Sequence, residues 1–208
     1  VNSQRDEVGQ LTRRFNQMTD KLRQNQVEIT AASDAMQKKN QLLETLSVTD
    51  SLTGLYNRNK LNVIIRDQLA RYERNRRPFA VLMIDVDHFK QVNDMHGHVV
   101  GDALLIALVR TIFGQIRQDD QLCRYGGEEF VLILPGTPIA SARKLLIRLK
   151  NSIEIISHKL DNGEHIGITV SMGMATNLDK GSIFTSHEGM LEAADLALYA
   201  AKHAGRNR

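Results

Sequence analysis

The feature that most constrains the fold is an unbroken apolar run, FAVLMIDVD at residues 79–87, which ends in acidic residues. A continuous apolar run of this length predicts a buried strand. The stretch QLCRYGGEEFVLILPG (121–136) predicts a β-hairpin, and residues 166–177 a further strand. Helical patterns alternate with these strands, at 57–75, 101–117, 138–157 and 187–204. The expected fold is an α/β sandwich with helices packed on a central sheet.

A heptad pattern runs through the first 48 residues, which contain no proline and a single glycine. Apolar residues recur there at alternating steps of four and three, at Leu11, Phe15, Met18, Leu22, Ile29, Ala32, Met36, Leu43 and Leu46. A seam sustained over roughly five heptads predicts a parallel dimeric coiled coil, with the polar seam residues Asn25 and Lys39 fixing the register. The alternative is an amphipathic helix lying on the globular part of the chain.

Composition narrows the function classes. The 27 basic and 24 acidic residues leave a net charge of +3, spread along the chain. This spread predicts solvated faces rather than a nucleic-acid-binding patch. Cys123 is the single cysteine, so a disulfide within the chain is excluded, and we expect a buried, reduced thiol in a reducing compartment. No apolar run reaches the roughly 18 residues of a membrane span.

The heptad seam ends at the stretch SVTDSLTGLYNR, which marks a domain boundary. Thr49, Asp50 and Ser51 are capping residues, Gly54 interrupts a helix, and Asn57 suits the start of the next one. We therefore expect a signalling helix at 1–48 and a globular domain at 49–208.

Acidic residues follow the first strand and occupy the hairpin tip. Asp85 and Asp87 are two positions apart, so both side chains can face one side of the strand, and Glu128 and Glu129 lie in the turn. Carboxylates are preferred ligands of Mg²⁺, which leaves coordination positions for substrate phosphates. The alternative is that these are solvated turn residues, which suits Asp85 poorly because it ends a buried strand.

Five motifs carry a resemblance to the GGDEF family of diguanylate cyclases: in order, DSLTGLYNR, MIDVDHFKQVND, GHVVGD, GGEEF and AKHAGRN. The resemblance covers residues 49–208 and implies a nucleotidyl-cyclase-like fold, a mostly antiparallel sheet flanked by helices and preceded here by a long coiled-coil helix. It implies an Mg²⁺-dependent (or Mn²⁺-dependent) condensation of two GTP into c-di-GMP with release of two pyrophosphates. Glu128 stands where the family name has Asp.

The resemblance also implies roles for individual residues. Asp85, the Val86 carbonyl, Glu128 and Glu129 match the metal ligands. Glu128 matches the proton acceptor, Glu129 its support, and Lys90 a phosphate-contacting catalytic position. Asn93 and Asp102 match a pair that binds the guanine base. The backbone at His88, Phe89 and Gly127 matches groups near the phosphates, and Lys202 and Arg206 match C-terminal phosphate contacts.

Two regulatory elements follow from the same resemblance. Arg117 and Asp120, with Arg148 on the next helix, match a product-inhibition site that binds c-di-GMP. Asp50 and Leu52 belong to a D-x-L-T turn that couples the signalling helix to the catalytic domain.

The N-terminal stretch DEVGQLTRRFNQM (6–18) resembles the end of a HAMP module. HAMP modules lie just inside a membrane span, so this resemblance implies the cytoplasmic part of a membrane-anchored bacterial receptor. Because the chain begins at Val1 without Met, we expect it to be a fragment. The rival interpretations are a nucleotide-sensing domain without turnover, a dimerisation scaffold, and a cyclase or polymerase-like enzyme with another product.

Overall fold

The computed structural model describes residues 48–160, 162–177 and 184–208, together with parts of the N-terminal segment, at 18–19, 21–27, 29–30, 33, 36–37 and 39. The chain divides into two compact units, residues 1–47 and 48–208.

The described residues of the N-terminal unit are helical. Among them, the seam residues Met18, Leu22 and Ile29 are exposed in the single chain, as is Met36. Almost all of the stretch that resembles a HAMP module lies outside the described residues, as do the seam residues Leu11, Phe15, Ala32, Leu43 and Leu46.

The second unit contains alternating helices and strands, as expected. In chain order its elements are α1 (Arg58–Asn75), β1 (Phe79–Val86), α2 (Phe89–His96), α3 (His98–Phe113), β2 (Gln121–Arg124), β3 (Glu129–Pro135), α4 (Ile139–Ile153), β4 (His158–Lys159), β5 (His165–Ile166), β6 (Val170–Asn177) and α5 (His187–His203). Asn57 caps α1 by accepting a hydrogen bond from the Lys60 N–H, in agreement with the predicted helix start.

The main sheet has four strands in the order β2-β3-β1-β6, and each neighbouring pair is antiparallel. This confirms the predicted sheet flanked by helices and the hairpin. The predicted strand at 166–177 is wrong in extent: Ile166 belongs to a separate two-stranded sheet, β4-β5, and β6 begins only at Val170. The predicted helix at 101–117 instead spans His98–Phe113, because Gly97, at φ 81°, separates it from α2 and Gly114 ends it.

β1 is buried along its whole length because helices cover both faces of the sheet. Its even-numbered residues pack in a cluster with α3 and α4, and its odd-numbered apolar residues pack with α1 and α5. Gly173 on β6 lets α5 approach closely, since a Cβ atom there would lie 2.1 Å from the Leu198 backbone nitrogen. Helix α5 is thereby placed directly on the sheet beside β1.

Within the described part of the chain, no helix is both long enough and apolar enough to cross a bilayer. Cys123 is buried and free, and burial raises the pKa of its thiol to about 12. The predicted buried thiol is therefore confirmed, and it is unreactive at neutral pH.

Candidate active site

The hairpin tip at residues 125–128 docks against the end of β1. The Glu129 carbonyl accepts hydrogen bonds from the backbone N–H groups of Tyr125 (2.8 Å) and Gly126 (3.2 Å), which closes the turn. The Val86 N–H donates to the Glu128 carbonyl at 3.2 Å. The structure therefore brings together the two acidic stretches that the sequence places far apart.

Asp85 and Glu129 are direct cross-strand neighbours on β1 and β3. Like charges in this position repel, and both groups are partly or fully buried. Burial raises the pKa of the Asp85 carboxyl; Lys202 lowers it, and the charge of Asp87 raises it further. Burial likewise raises the pKa of Glu129, and the charge of Asp85 adds to the increase.

The Lys202 ammonium, on α5, lies 2.8 Å from the Asp85 carboxylate. Glu128, in the turn, is part of the same charge cluster: burial raises the pKa of its carboxyl, the charge of Asp85 raises it further, and Lys202 acts in the opposite direction. Three carboxyl groups thus surround a lysine that does not neutralise them fully. Such a surplus of negative charge attracts a divalent cation.

Without substrate, the acidic side chains alone provide only part of the ligand set of a metal ion. Among the residues that the structure describes, no three His, Cys, Asp or Glu side chains converge closely enough to hold an ion. Mg²⁺ commonly uses one or two carboxylates and completes its shell with water and phosphate oxygens. The acidic cluster therefore suits an ion that enters together with a phosphate-bearing ligand.

Two adjacent glycines shape the space beside these acids. A Cβ atom on Gly126 would lie 2.6 Å from the Glu129 Oε2 atom, so this glycine makes room for the carboxylate. A Cβ atom on Gly127 would meet nothing within 4 Å, and Gly127 is exposed. The fold itself does not require glycine at 127, which leaves room for a ligand to approach the backbone there.

Asp87 differs from Asp85 in its surroundings. It is 5% exposed, and its carboxylate accepts hydrogen bonds from the hydroxyls of Thr169 (2.8 Å) and Ser171 (2.6 Å). Asp87 is therefore held by the protein, whereas Asp85 faces the acidic cluster.

The guanine-reading pair predicted from the resemblance lies on two adjoining helices, Asn93 on α2 and Asp102 on α3. The Asn93 Oδ1 atom is buried without a hydrogen-bond partner, and it packs so closely on Gly101 that a Cβ atom there would overlap it. A buried amide oxygen without a donor is costly, and rotation of the Asn93 side chain toward a ligand that supplies one would remove that cost. Asp102 is exposed and available to the same ligand.

The other predicted phosphate contacts lie near the start of α2 and the end of α5. His88 precedes α2 with a φ of 58°, in the left-handed region that side-chain-bearing residues rarely adopt. Phe89 is buried, Lys90 is exposed, and Arg206 follows α5 with a φ of 59°. A helix start with an exposed lysine beside it is suited to bind anions.

A link that sequence reasoning missed runs through Arg124, the residue that ends β2. Its guanidinium donates to the Gly126 carbonyl (3.2 Å) and the Gly127 carbonyl (2.6 Å), and forms an ion pair with Asp50 at 2.9 Å. Burial alone would raise the pKa of Asp50, but hydrogen bonds from Thr53 and Arg124 lower it. A basic residue directly before a two-glycine turn was the available signal.

The predicted product-inhibition residues line one cavity of about 220 Å³ between α4, the end of β3 and the loop before β2. Its wall is formed by Gln115, Arg117, Asp120, Leu134, Thr137, Ser141, Lys144, Leu145 and Arg148. The Asp120 Oδ2 atom accepts from the Arg117 N–H at 2.8 Å, and the Arg148 guanidinium donates to the Gln115 carbonyl at 2.6 Å. Burial raises the pKa of Asp120, with Arg117 opposing it. The structure thus brings these three residues together.

A family profile described as "Diguanylate cyclase, GGDEF domain" matches residues 47–208. The chain belongs to the GGDEF domain family. Its GGDEF domain is similar to that of the "Probable diguanylate cyclase DgcC" of Escherichia coli K12, with 37% identity over 166 residues, 80% of this chain. The chain spans only 43% of the length of that relative.

Solved GGDEF structures agree with this assignment. The GGDEF domain of DgcB from Caulobacter crescentus, solved in complex with c-di-GMP, has a TM-score of 0.72 and 32% identity, and the match covers 77% of this chain and 90% of that one. The diguanylate cyclase SiaD of Pseudomonas aeruginosa, solved with its activator SiaC, also has a TM-score of 0.72 and 32% identity, over 98% of this chain and 76% of that one.

Proposed function

We propose that this protein is a diguanylate cyclase that condenses two GTP molecules into c-di-GMP and releases two pyrophosphates, with Mg²⁺ or Mn²⁺ as cofactor. The observation that carries the proposal is the acidic cluster of Asp85, Glu128 and Glu129 at one edge of the sheet, with Lys202 in contact and the pKa values of all three carboxyls raised. Its membership of the GGDEF family sets the reaction class.

The metal-binding role falls to Asp85, Glu128, Glu129 and the Val86 carbonyl. These groups would hold a divalent ion that, when bound, would offset the charge of the triphosphate and lower the pKa of the attacking 3′-hydroxyl. The repulsion between Asp85 and Glu129 would be relieved when the ion arrives with its nucleotide, which ties metal binding to substrate binding.

Proton transfer falls to Glu128. The Val86 N–H donates to the Glu128 carbonyl at 3.2 Å and so holds this residue beside Asp85 at the end of β1, where a carboxylate can accept the proton of the attacking hydroxyl. Glu129 supports it from the adjacent strand position.

Charge neutralisation and positioning account for the other residues. Lys90, Lys202 and Arg206 would contact the phosphates, together with the backbone N–H groups of His88 and Phe89. Gly127 would leave space for the triphosphate to pass the turn, since a Cβ atom there meets no protein atom.

Recognition of guanine falls to Asn93 and Asp102. A carboxylate accepts hydrogen bonds from the N1–H and exocyclic amine of guanine, whereas adenine has no donor at N1. The buried Asn93 Oδ1 without a partner supports this assignment, because rotation of the side chain toward a donor on the base would satisfy it.

The reaction needs two GTP molecules, so two GGDEF domains must face each other. We propose that residues 1–48 form a parallel coiled coil that links two copies and raises the effective concentration of one domain near the other. Support comes from the apolar seam residues Met18, Leu22, Ile29 and Met36, which are exposed in the single chain. In the same proposal, a HAMP module anchored at the bacterial inner membrane supplies the input, and the D-x-L-T turn with Asp50 and Leu52 passes it on.

Product inhibition would act through the cavity of Arg117, Asp120 and Arg148. The planar guanidinium suits guanine and phosphate acceptors, and a carboxylate suits the guanine amine. Bound c-di-GMP would hold two catalytic domains apart.

The deciding experiment is an assay of product formation. The purified chain is incubated with GTP and Mg²⁺, nucleotides are separated by chromatography, and Glu128→Ala is tested beside Glu73→Ala, an exposed carboxylate on α1. We expect c-di-GMP from the wild type and the Glu73 variant and none from the Glu128 variant.

A chain that yields no product is tested again after deletion of residues 1–46, at high protein concentration. Product from the shortened chain would indicate that the N-terminal segment holds the domains in an unproductive arrangement. GTP binding without product in both forms would favour the sensor interpretation.

A further inference from the structure

The segment that carries Arg206 is held in an uncommon backbone conformation. Arg206 and Asn207 follow one another with φ values of 59° and 52°. Side-chain-bearing residues in this left-handed region cost energy, and two in succession persist where surrounding contacts fix them.

Contacts from three directions fix this segment. The Asn207 N–H donates to the Asp87 carboxylate at 3.1 Å, and the Asn207 side chain donates to the Glu154 carboxylate at 2.5 Å. The Met172 N–H, on β6, donates to the Arg208 carbonyl at 2.7 Å, and the Arg206 N–H donates to the Ala201 carbonyl at 3.1 Å. The backbone on both sides of the Arg206 side chain is therefore tied to the sheet and to α5.

Asp87 connects this segment to the strand that carries Asp85. Its carboxylate is buried and fixed by the Thr169 and Ser171 hydroxyls, and its own N–H donates to the Thr169 carbonyl at 2.9 Å. A carboxylate that already accepts two hydrogen bonds from hydroxyls acts as a rigid anchor for the Asn207 N–H.

We propose that Asp87 is a positioning residue, which through the Asn207 N–H holds residues 205–208 so that the Arg206 guanidinium faces the triphosphate. The proposal rests on the role assigned to Arg206 under the proposed function. Arg206 lies close to the acidic cluster in the chain, because its N–H is bonded to Ala201 and the next residue, Lys202, contacts the Asp85 carboxylate at 2.8 Å.

The competing role for Asp87 is that of a further metal ligand beside Asp85. The two roles differ in how Asp87 and Arg206 depend on each other. An anchor that acts through Arg206 loses its effect once the guanidinium is removed, whereas a metal ligand keeps its effect.

The test is a double-mutant cycle on the affinity for 3′-deoxy-GTP, which lacks the attacking hydroxyl, measured by calorimetry with Mg²⁺ on the wild type, Asp87→Ala, Arg206→Ala and the double variant. We expect each single change to weaken affinity about tenfold and the double change to be within about twofold of Arg206→Ala alone. If the double variant instead loses about a hundredfold in affinity, the two single losses multiply, and this independence would overturn the proposal.

If Asp87→Ala does not fold, two variants at Asn207 test the same hydrogen bond from its other end. Asn207→Pro removes the donated N–H and cannot adopt the positive φ, and we expect it to weaken GTP binding as Asp87→Ala does. Asn207→Gly is the matched control, because it keeps the N–H and the permitted φ while losing the Glu154 contact. Equal weakening by both would show that the N–H to Asp87 does not matter, and so contradict the proposal.

Two further measurements separate positioning from folding. Asp87→Asn retains a hydrogen-bond acceptor, so we expect it to keep most of the nucleotide affinity that Asp87→Ala loses. Thr169→Val removes one hydroxyl that bonds Asp87 but leaves the bond from the Asn207 N–H in place. Hydrogen exchange at the Asn207 amide should accelerate in Asp87→Ala, and an unchanged rate would contradict the tether itself. These measurements need no turnover, so GTP binding without c-di-GMP formation, by both the wild type and the chain lacking residues 1–46, would overturn the proposed function and leave this inference standing.

Discussion

Arg124 Nη1 lies 2.9 and 3.1 Å from the two carboxylate oxygens of Asp50. The same guanidinium donates to the carbonyls of Gly126 and Gly127 in the hairpin tip. One side chain thus connects the turn at the start of the GGDEF domain to the turn that carries Glu128 and Glu129. A displacement of Asp50 would be felt directly at the candidate catalytic turn.

The first prediction concerns this connection. In Arg124→Lys, a single ammonium replaces a planar fork and cannot serve Asp50 and both glycine carbonyls together. We expect the free energy of unfolding to fall by roughly 1–3 kcal/mol and the rate of c-di-GMP formation by at least about tenfold.

Lys150→Ala is the control, because it removes an exposed i,i+4 ion pair with Glu154 that lies at a helix end. Its effect on stability should stay below about 1 kcal/mol. Equal losses from the two variants in thermal unfolding would contradict a structural role for Arg124.

The second prediction is the pH dependence of the same pair. Hydrogen bonds from Thr53 and Arg124 hold the pKa of Asp50 below its ordinary value of 3.8 despite its burial. The carboxylate therefore stabilises the fold above that value, and this contribution is lost as the pH falls through the lower pKa of the folded state.

Denaturant unfolding of the wild type and Asp50→Asn measures this effect. The stability difference between them should be constant at neutral pH and shrink below about pH 3.8. A difference that grows on acidification would contradict the ion pair as its source.

The third prediction uses the two glycines of the turn. Gly127→Ala adds a methyl group that touches no protein atom, so we expect unchanged thermal stability and a loss of activity of about a hundredfold or more, because the methyl group occupies the path of the triphosphate. Gly114→Ala is the control, because a Cβ atom there would lie 3.5 Å from the nearest backbone oxygen, an ordinary contact. Gly136→Ala does not serve as a control, because the φ of 62° at Gly136 disfavours alanine. Full activity in Gly127→Ala would contradict the proposed course of the phosphates.

The fourth prediction concerns recognition of the guanine base of the substrate. If Asp102 accepts hydrogen bonds from N1–H and the exocyclic amine of guanine, the wild type should prefer GTP over ITP, which lacks the amine, by about tenfold or more in kcat/KM. Asp102→Asn should lower activity with GTP and reduce this preference. Asp94→Asn, an exposed acid on α2, should leave it intact. An unaltered GTP/ITP ratio in Asp102→Asn would place base recognition elsewhere.

The fifth prediction concerns inhibition by product. Arg117→Ala should abolish non-competitive inhibition by c-di-GMP while leaving the initial rate nearly unchanged, because the cavity of Arg117, Asp120 and Arg148 contains no residue assigned to the substrate site. Arg143→Ala is the matched control, since this exposed arginine lies on α4 but does not line the cavity. Retained inhibition in Arg117→Ala would exclude this cavity as the regulatory site.

Periodicity and motif order predicted much of the GGDEF domain. The run 79–87 predicts β1 because its first six residues, 79–84, are all apolar, and the paired glycines predict the hairpin tip. The boundary between α2 and α3 was not predicted, because it depends on one positive φ at Gly97 within a pattern that remains helical on both sides. The split of β5 from β6 was missed for a similar reason, since both segments have β-type composition.

The sequence predicted those site residues that lie in a recognisable motif. It did not predict the roles that depend on contacts with residues distant in the chain. Asp85 and Asp87 look equivalent in sequence, two positions apart after one strand. Their different surroundings come from Lys202, Thr169 and Ser171, which approach from α5 and from the backbone leading into β6. Arg124 was overlooked because its partner Asp50 is distant in sequence.

The position of β1 in the sheet has a consequence for how the chain is made. β1 is complete at residue 86, but its neighbours β3 and β6 begin only at residues 129 and 170. A segment that is apolar except for Asp85, with two unpaired edges, must therefore leave the ribosome well before its partners. Long-range pairing of this kind slows folding and exposes the nascent chain to aggregation. The strand that places Asp85 at the site is thus also the one whose biogenesis depends most on protection during synthesis.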